Sequence, residues 1–233
     1  MTSAPQVRDA ALIDEVVAPD SYALSQTLRA LESPPTSATA IALHNLAAEI
    51  MAQQVGAGRR GLVVCGPSRG GGVSFVATNL AIALGQLGLS VLLVDANLHE
   101  PAVNLLIAPS APPLGLGDLI SREDLSLDDV IHRDALPGLS ILYAGAASPE
   151  ASEQVSSARC DEVLRECMRD FDYTVVDSPP ANRAADARRL ASIVGYAMIV
   201  ACQDTTYVDD IATLSAELSE DGTTVVAGLL NQV

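Results

Sequence analysis

Residues 66–74 read GPSRGGGVS, placed directly after the apolar stretch GLVVC and directly before the helix-like SFVATNLAIALGQLG. Consecutive glycines ahead of a helix let backbone N–H groups curl around an anion that the helix N-terminus also attracts, the arrangement of a phosphate-binding loop. Gly70, Gly71 and Gly72 supply that backbone freedom, and Ser74 stands where a hydroxyl would hold Mg²⁺. The position between them ordinarily carries a lysine that neutralises β- and γ-phosphate charge, and here it is Val73. All thirteen basic residues are arginines, so no lysine from elsewhere in the chain can reach in as a substitute. Arg69 lies inside the loop and has the bidentate chemistry to contact a phosphate; a solvated surface arginine is an equally good reading.

Two acids end apolar runs: Asp95 closes VLLVD and Asp177 closes YTVVD. An acid at the end of a strand beside a phosphate loop can hold Mg²⁺ directly or through water, and two of them suit a single metal site. The plainer reading of each is a cap on its strand end or on the element that follows. His44, His99 and His132 share no metal-ligand spacing and read as surface or helix-packing residues. Cys65, Cys160, Cys167 and Cys202 have no CxxC spacing, and Cys65 and Cys202 lie in strand-like runs, which predicts buried structural thiols.

The elements that must position these groups alternate along the chain. Strands are expected over 61–65, 91–95, 139–145, 173–177, 196–202 and 223–231, with helices over about 73–87, 158–170 and 207–219. The strands are continuously apolar, which predicts an α/β fold: a mostly parallel sheet flanked by helices on both faces, a P-loop NTPase-like three-layer sandwich. Such sheets bind ligands beyond the carboxyl ends of their strands, where the glycine run, DANLHEP and DSPPAN would converge. Ahead of the core, residues 1–37 read as an N-terminal arm and linker holding a short helix over YALSQTLRALES, closed by SPPTS. A second helix is expected over 38–55, opening the domain of residues 38–233.

Composition narrows the classes. A chain of 233 residues that is 49% hydrophobic and 18% charged can bury one substantial core. A formal net charge of −16 repels a phosphate backbone and argues against nucleic-acid binding. With no signal peptide and no apolar run of transmembrane length, the sequence reads as soluble and cytoplasmic, reaching a membrane only through a partner.

The frame CGPSRGGGVSFVATNLAIALGQLGLSVLLVDANLHEP, with GLGDLI at 115–120, DYTVVDSPP at 172–180 and VVAGLLNQV at 225–233, resembles the bacterial tyrosine autokinases of capsule and exopolysaccharide export, within the deviant-Walker (MinD and ParA-like) P-loop class. The resemblance covers residues 37–233. It implies Mg²⁺ with ATP or ADP as ligands, Ser74, Asp95 and Asp177 as metal positions, Asp95 and Asp177 as the catalytic positions, and Asn231 near the adenine. Asp186 falls on the aspartate of a further family stretch.

The departures fall where the chemistry would be. The loop lysine is Val73, the second acid of the DxD strand motif is Asn97, and its arginine is His99. The helix before the first strand, ATAIALHNLAAEI, lacks the arginines such kinases use for ring assembly, and no clustered-tyrosine tail has a counterpart in the sequence. The resemblance therefore implies a catalytically impaired kinase-like regulator or scaffold, docked on the cytoplasmic tail of a chain-length-regulator-type membrane protein. Nucleotide binding would be weak, and a homodimer across the nucleotide site is as compatible as a monomer. The alternative is an active ATPase or tyrosine kinase using Arg69 or a partner's basic residue; a partitioning or cell-positioning ATPase shares the fold but suits the acidic surface poorly.

Overall fold

The computed structural model describes residues 22–232 except 33, 183 and 184. The chain forms β1 (Ala23–Leu24), α1 (Ala38–Gln53), β2 (Gly61–Cys65), α2 (Val73–Gln86), β3 (Val91–Asp95), α3 (Val103–Leu106), β4 (Ile107–Ala108), α4 (Leu116–Ser121) and α5 (Leu127–Val130). It continues through β5 (Ile131–Leu136), β6 (Leu139–Leu142), α6 (Ala151–Ser156), α7 (Ala158–Asp170), β7 (Tyr173–Asp177), α8 (Asp186–Val194), β8 (Tyr196–Cys202), α9 (Val208–Glu220) and β9 (Thr224–Asn231). Seven strands make the main sheet in the order β5-β6-β3-β7-β2-β8-β9, with every pairing parallel except β5 with β6. This is the α/β sandwich that the apolar runs predict.

The continuous hydrophobicity of the central strands follows from burial on both faces. Side chains alternate across a strand, so Leu62 and Val64 pack into one cluster with Ala47 and Ile50 of α1 and Val76 and Leu80 of α2. Val63 and Cys65 point the other way, into a second cluster with Val163 and Leu164 of α7 and Leu190 of α8. β3 divides in the same manner, with Leu93 on the first side and Leu92 and Val94 on the second. All four cysteines are buried free thiols, and burial raises Cys65, Cys160 and Cys167 to about 12, leaving them unreactive packing groups.

The helix expected over residues 22–33 does not form in the described part of that segment. Instead β1 pairs antiparallel with β4, and a single 3-10 turn spans Arg29–Leu31. Tertiary partners decide this: Ala30 donates its N–H to Asn79 Oδ1 and accepts at its carbonyl from Gln86 Nε2, both groups on α2. Leu28 and Ala30 are buried against that helix. A short isolated helix is marginal in water, and specific bonds of this kind outweigh its weak local preference. The antiparallel edge strand β5, with IHRDAL split by a bulge, carries no apolar run and has no counterpart among the expected strands. The remainder of the expected N-terminal arm, residues 1–21, lies outside the described residues.

Candidate functional site

The carboxyl ends of β2, β3 and β7 meet at one crevice. Between β2 and α2 the glycine loop turns through left-handed backbone at Gly70 (φ 74°) and Gly72 (φ 81°), conformations an L-residue adopts only under strain. Gly72 caps α2, its carbonyl accepting from Val76 N at 2.9 Å. A Cβ on Gly72 would overlap the side-chain amide of Asn231, which itself donates to Gly71 O at 3.2 Å. The start of the loop is held from the opposite side, where Ala181 N donates to Gly66 O and Asn182 N to Pro67 O. Backbone and amide bonds therefore fix the loop, and no charged side chain is needed to shape it.

Val73, the first residue of α2, packs against the α1 and α2 side of the core, with its Cγ2 facing Gly66. It is a small hydrophobic plug at the root of the loop. A cavity of about 370 Å³ lies above it, lined by Arg69, the three glycines, Ser74, Asn97, Glu100 and Ser178. A larger, mostly apolar cavity of about 800 Å³ lies on the far side of the same loop, sharing Gly70, Gly72 and Phe75 with the first and bounded by Leu43, Leu229 and Asn231.

The two acids are direct neighbours, Asp95 opposite Asp177 in the β3–β7 pairing, and both are completely buried. Their surroundings differ. Asp95 Oδ1 accepts from Asn97 N at 3.1 Å, and Oδ2 accepts from Ala102 N and Val103 N, each at 3.0 Å. It thus clasps both ends of the turn that follows β3. Burial pushes its carboxyl up to about 6, against the pull of those three donors.

Asp177 has no such support. Neither of its oxygens has a hydrogen-bond partner of ordinary geometry. Burial and the adjacent Asp95 charge drive its carboxyl well above the usual range, and the nearby Ser74 hydroxyl offsets only part of that. A buried carboxylate left in this condition is costly unless it is protonated or paired with a cation. Among the described residues no group of three or more His, Cys, Asp or Glu side chains is arranged around a metal position, so any cation here would take its remaining ligands from a hydroxyl, water or a bound anion.

Arg69 pairs with Glu100, on the turn after β3, and the two side chains meet across the mouth of the smaller cavity. Sequence reasoning left Arg69 open and did not single out Glu100. His99 Nε2 lies 2.8 Å from Asp186 Oδ2 at the start of α8, and Ser152 Oγ of α6 donates to the same carboxylate oxygen at 3.1 Å. His99 is thus a strut between the turn and two helices. His44 lies within hydrogen-bond distance of Ala40 O and Gln86 Oε1, and His132 stacks edge-on against Tyr143, so both fit the packing roles expected of them.

Ser74 lines the smaller cavity with the glycine loop, Asp177 lies beside Ser74 and opposite Asp95, and Asn231 reaches the loop from the outer strand as a brace. His99, Asp186 and Ser152 form a separate link behind the turn. The one signal that could have exposed Glu100 is its place in HEP: Pro101 restricts it to extended backbone, and Asn97 Oδ1 accepts its N–H at 3.2 Å.

No protein-family model matches the chain. Against curated proteins it is 27% identical over 172 residues to the tyrosine-protein kinase ptk of Acinetobacter johnsonii, across 74% of this chain and 23% of that one. It is 26% identical over 162 residues to the tyrosine-protein kinase YwqD of Bacillus subtilis (strain 168), across 70% of this chain and 68% of the relative. The chain spans only about a fifth of the length of several relatives it matches. Among solved structures, the BceF tyrosine kinase domain superposes with a TM-score of 0.73 and 27% identity, over 82% of this chain and 76% of that one. No helix among the described residues is long and apolar enough to cross a membrane. The parallel sheet, the glycine loop between β2 and α2, the paired strand-end acids and these likenesses agree: the chain belongs to the family of bacterial tyrosine-kinase domains.

Proposed function

We propose that this chain is a catalytically impaired, kinase-like nucleotide-binding module that regulates or scaffolds exopolysaccharide synthesis and export. The observation that carries this reading is Val73, a hydrophobic plug where a phosphate loop needs its lysine. Arg69, the basic residue lining the phosphate cavity among the described residues, is already paired with Glu100. A preorganised cation on a transferring phosphoryl group typically supplies several kcal/mol of barrier reduction, and about 1.4 kcal/mol is a factor of ten in rate. Asn97 in place of a second acid lowers the charge available to a metal further.

Binding is a different matter from turnover. The orphaned Asp177 carboxylate and the Ser74 hydroxyl fit a Mg²⁺ ion arriving with a nucleotide, which would relieve the unpaired charge. Backbone N–H groups of residues 70–74 would hold the phosphates, and the apolar cavity bounded by Asn231 would take the base. Mg²⁺ would supply charge neutralisation of the phosphates; Asp95 would keep the turn in place. The docking partner would be the cytoplasmic tail of a chain-length-regulator-type membrane protein, which would hold the module at the membrane.

Calorimetric titration of nucleotide-free protein with MgADP and MgATP, paired with hydrolysis and tyrosine-autophosphorylation assays, tests this reading. Micromolar to submillimolar binding without turnover is expected. The Val73→Lys variant is expected to bind more tightly yet gain little phosphotransfer, because the DxD acid is still missing. Robust autophosphorylation by either protein would overturn the impaired-enzyme reading, and absence of binding up to millimolar nucleotide would overturn the nucleotide-binding one.

A further inference from the structure

The turn after β3 is buried at Ala96, Asn97 and Leu98 and is held by side-chain bonds at both its ends. Asp95 fixes both its ends through three backbone N–H groups, Asn97 holds Glu100 N, and His99 is tied to Asp186. Pro101 then limits the backbone freedom of Glu100 itself. From this turn the Glu100 carboxylate reaches the glycine loop, where it meets the Arg69 guanidinium. Both residues line the cavity into which phosphates would enter, and each remains about half exposed, at 52% for Arg69 and 42% for Glu100.

We propose that Glu100 is an intramolecular competitor for the phosphate site, its carboxylate occupying Arg69 until a phosphate displaces it. The inference rests on the nucleotide-binding reading above and adds a gate to it. A carboxylate and a phosphate compete for the same guanidinium donors, and the Glu100 charge repels an incoming phosphate, so Arg69 meets a phosphate more fully once Glu100 lets go. An exposed ion pair contributes only about 0–1 kcal/mol, so the clasp opens readily and a polyphosphate carrying Mg²⁺ can displace it. Glu100 also places negative charge at the mouth of a cavity that has lost its lysine, which makes entry more difficult for a nucleotide lacking its metal.

The test is a double-mutant cycle read by MgADP binding affinity, using calorimetry on nucleotide-free Glu100→Gln, Arg69→Gln and the double variant, with thermal melting of the metal-free proteins confirming that each is folded. Glu100→Gln is expected to tighten MgADP binding roughly three- to fivefold, and Arg69→Gln to weaken it by a similar factor. In the Arg69→Gln background the Glu100 effect should shrink to less than about twofold, since the two residues act as a pair. Unchanged affinity in Glu100→Gln, or a Glu100 effect that persists in full without Arg69, would overturn the clasp while leaving nucleotide binding intact. Binding seen only in Glu100→Gln would support the clasp in its strongest form. No binding by any of the four proteins would overturn the clasp together with the reading on which it rests.

Discussion

The two strand-end acids occupy equivalent positions on neighbouring strands, in register and fully buried, yet they do opposite things. Asp95 spends its carboxylate on the protein, accepting three backbone donors that shape the turn carrying Glu100. Asp177 accepts no backbone donor, and neither of its oxygens has a partner of ordinary geometry, with only the Ser74 hydroxyl nearby. One acid builds the site and the other waits in it. The lesson is that a family position can be kept for architecture or for chemistry, and the two are told apart by the donors around the oxygens, not by the residue type.

The comparison is broken most directly at Asp177. Replacing it with Asn removes a buried carboxyl whose charge is relieved only by protonation or by a cation, so the metal-free protein is expected to gain about 1–3 kcal/mol in urea unfolding at pH 8 while Mg²⁺-dependent nucleotide binding is lost. Asp95→Asn should instead destabilise the protein or leave it unimproved, because one carboxylate oxygen becomes an NH2 group that cannot accept from the backbone donors it faces. If both substitutions stabilise equally, the division of labour is wrong.

The pH dependence sharpens the same point. Both acids have folded-state pKa values above their unfolded ones, Asp95 at about 6 and Asp177 raised as well. The folded state therefore binds protons more tightly than the unfolded one. The pair's contribution is most favourable at acid pH, where both are protonated, and it declines as pH rises from the ordinary aspartate range through about 6 and beyond. Unfolding free energies of wild type and Asp177→Asn, measured at intervals from pH 4 to 8, are expected to diverge with rising pH. Parallel curves would show that the buried pair is not responsible.

The glycine loop offers a smaller effect. Gly72→Ala introduces a Cβ at φ 81° that would collide with the Asn231 amide, and is expected to destabilise by about 1–3 kcal/mol. Smaller still is Ser152→Ala, which removes one of the two bonds holding Asp186 Oδ2 and should lower stability by about 0.5–1.5 kcal/mol, read from the shift in urea midpoint.

Much of this molecule was legible in its residues. The apolar runs at 61–65, 91–95, 173–177 and 196–202 are strands because each is buried on both faces, and continuous hydrophobicity reports that condition directly. The glycine loop and its two acids were legible for the same reason, since backbone freedom and strand-end placement are properties of local sequence. What escaped was set by partners distant along the chain. Residues 22–32 have helical spacing but take their conformation from Asn79, Gln86 and the β4 edge. The Arg69–Glu100 pairing joins two loops thirty-one positions apart, and no periodicity connects them. The two roles of Asp95 and Asp177 were equally hidden, because the donors that distinguish them come from the turn and not from the strands.

The bond from Asn231 to Gly71 has a further consequence in time. Asn231 is the last residue of β9, and β9 is an outer strand that pairs with β8 alone. Outer strands open locally more often than central ones, and their amides exchange with solvent sooner. The glycine loop, rooted on central β2, is thus fastened at its tip to one of the sheet's faster-exchanging elements. Each opening of that rim would release the Asn231 amide from Gly71, leaving the loop to the bonds at its root alone.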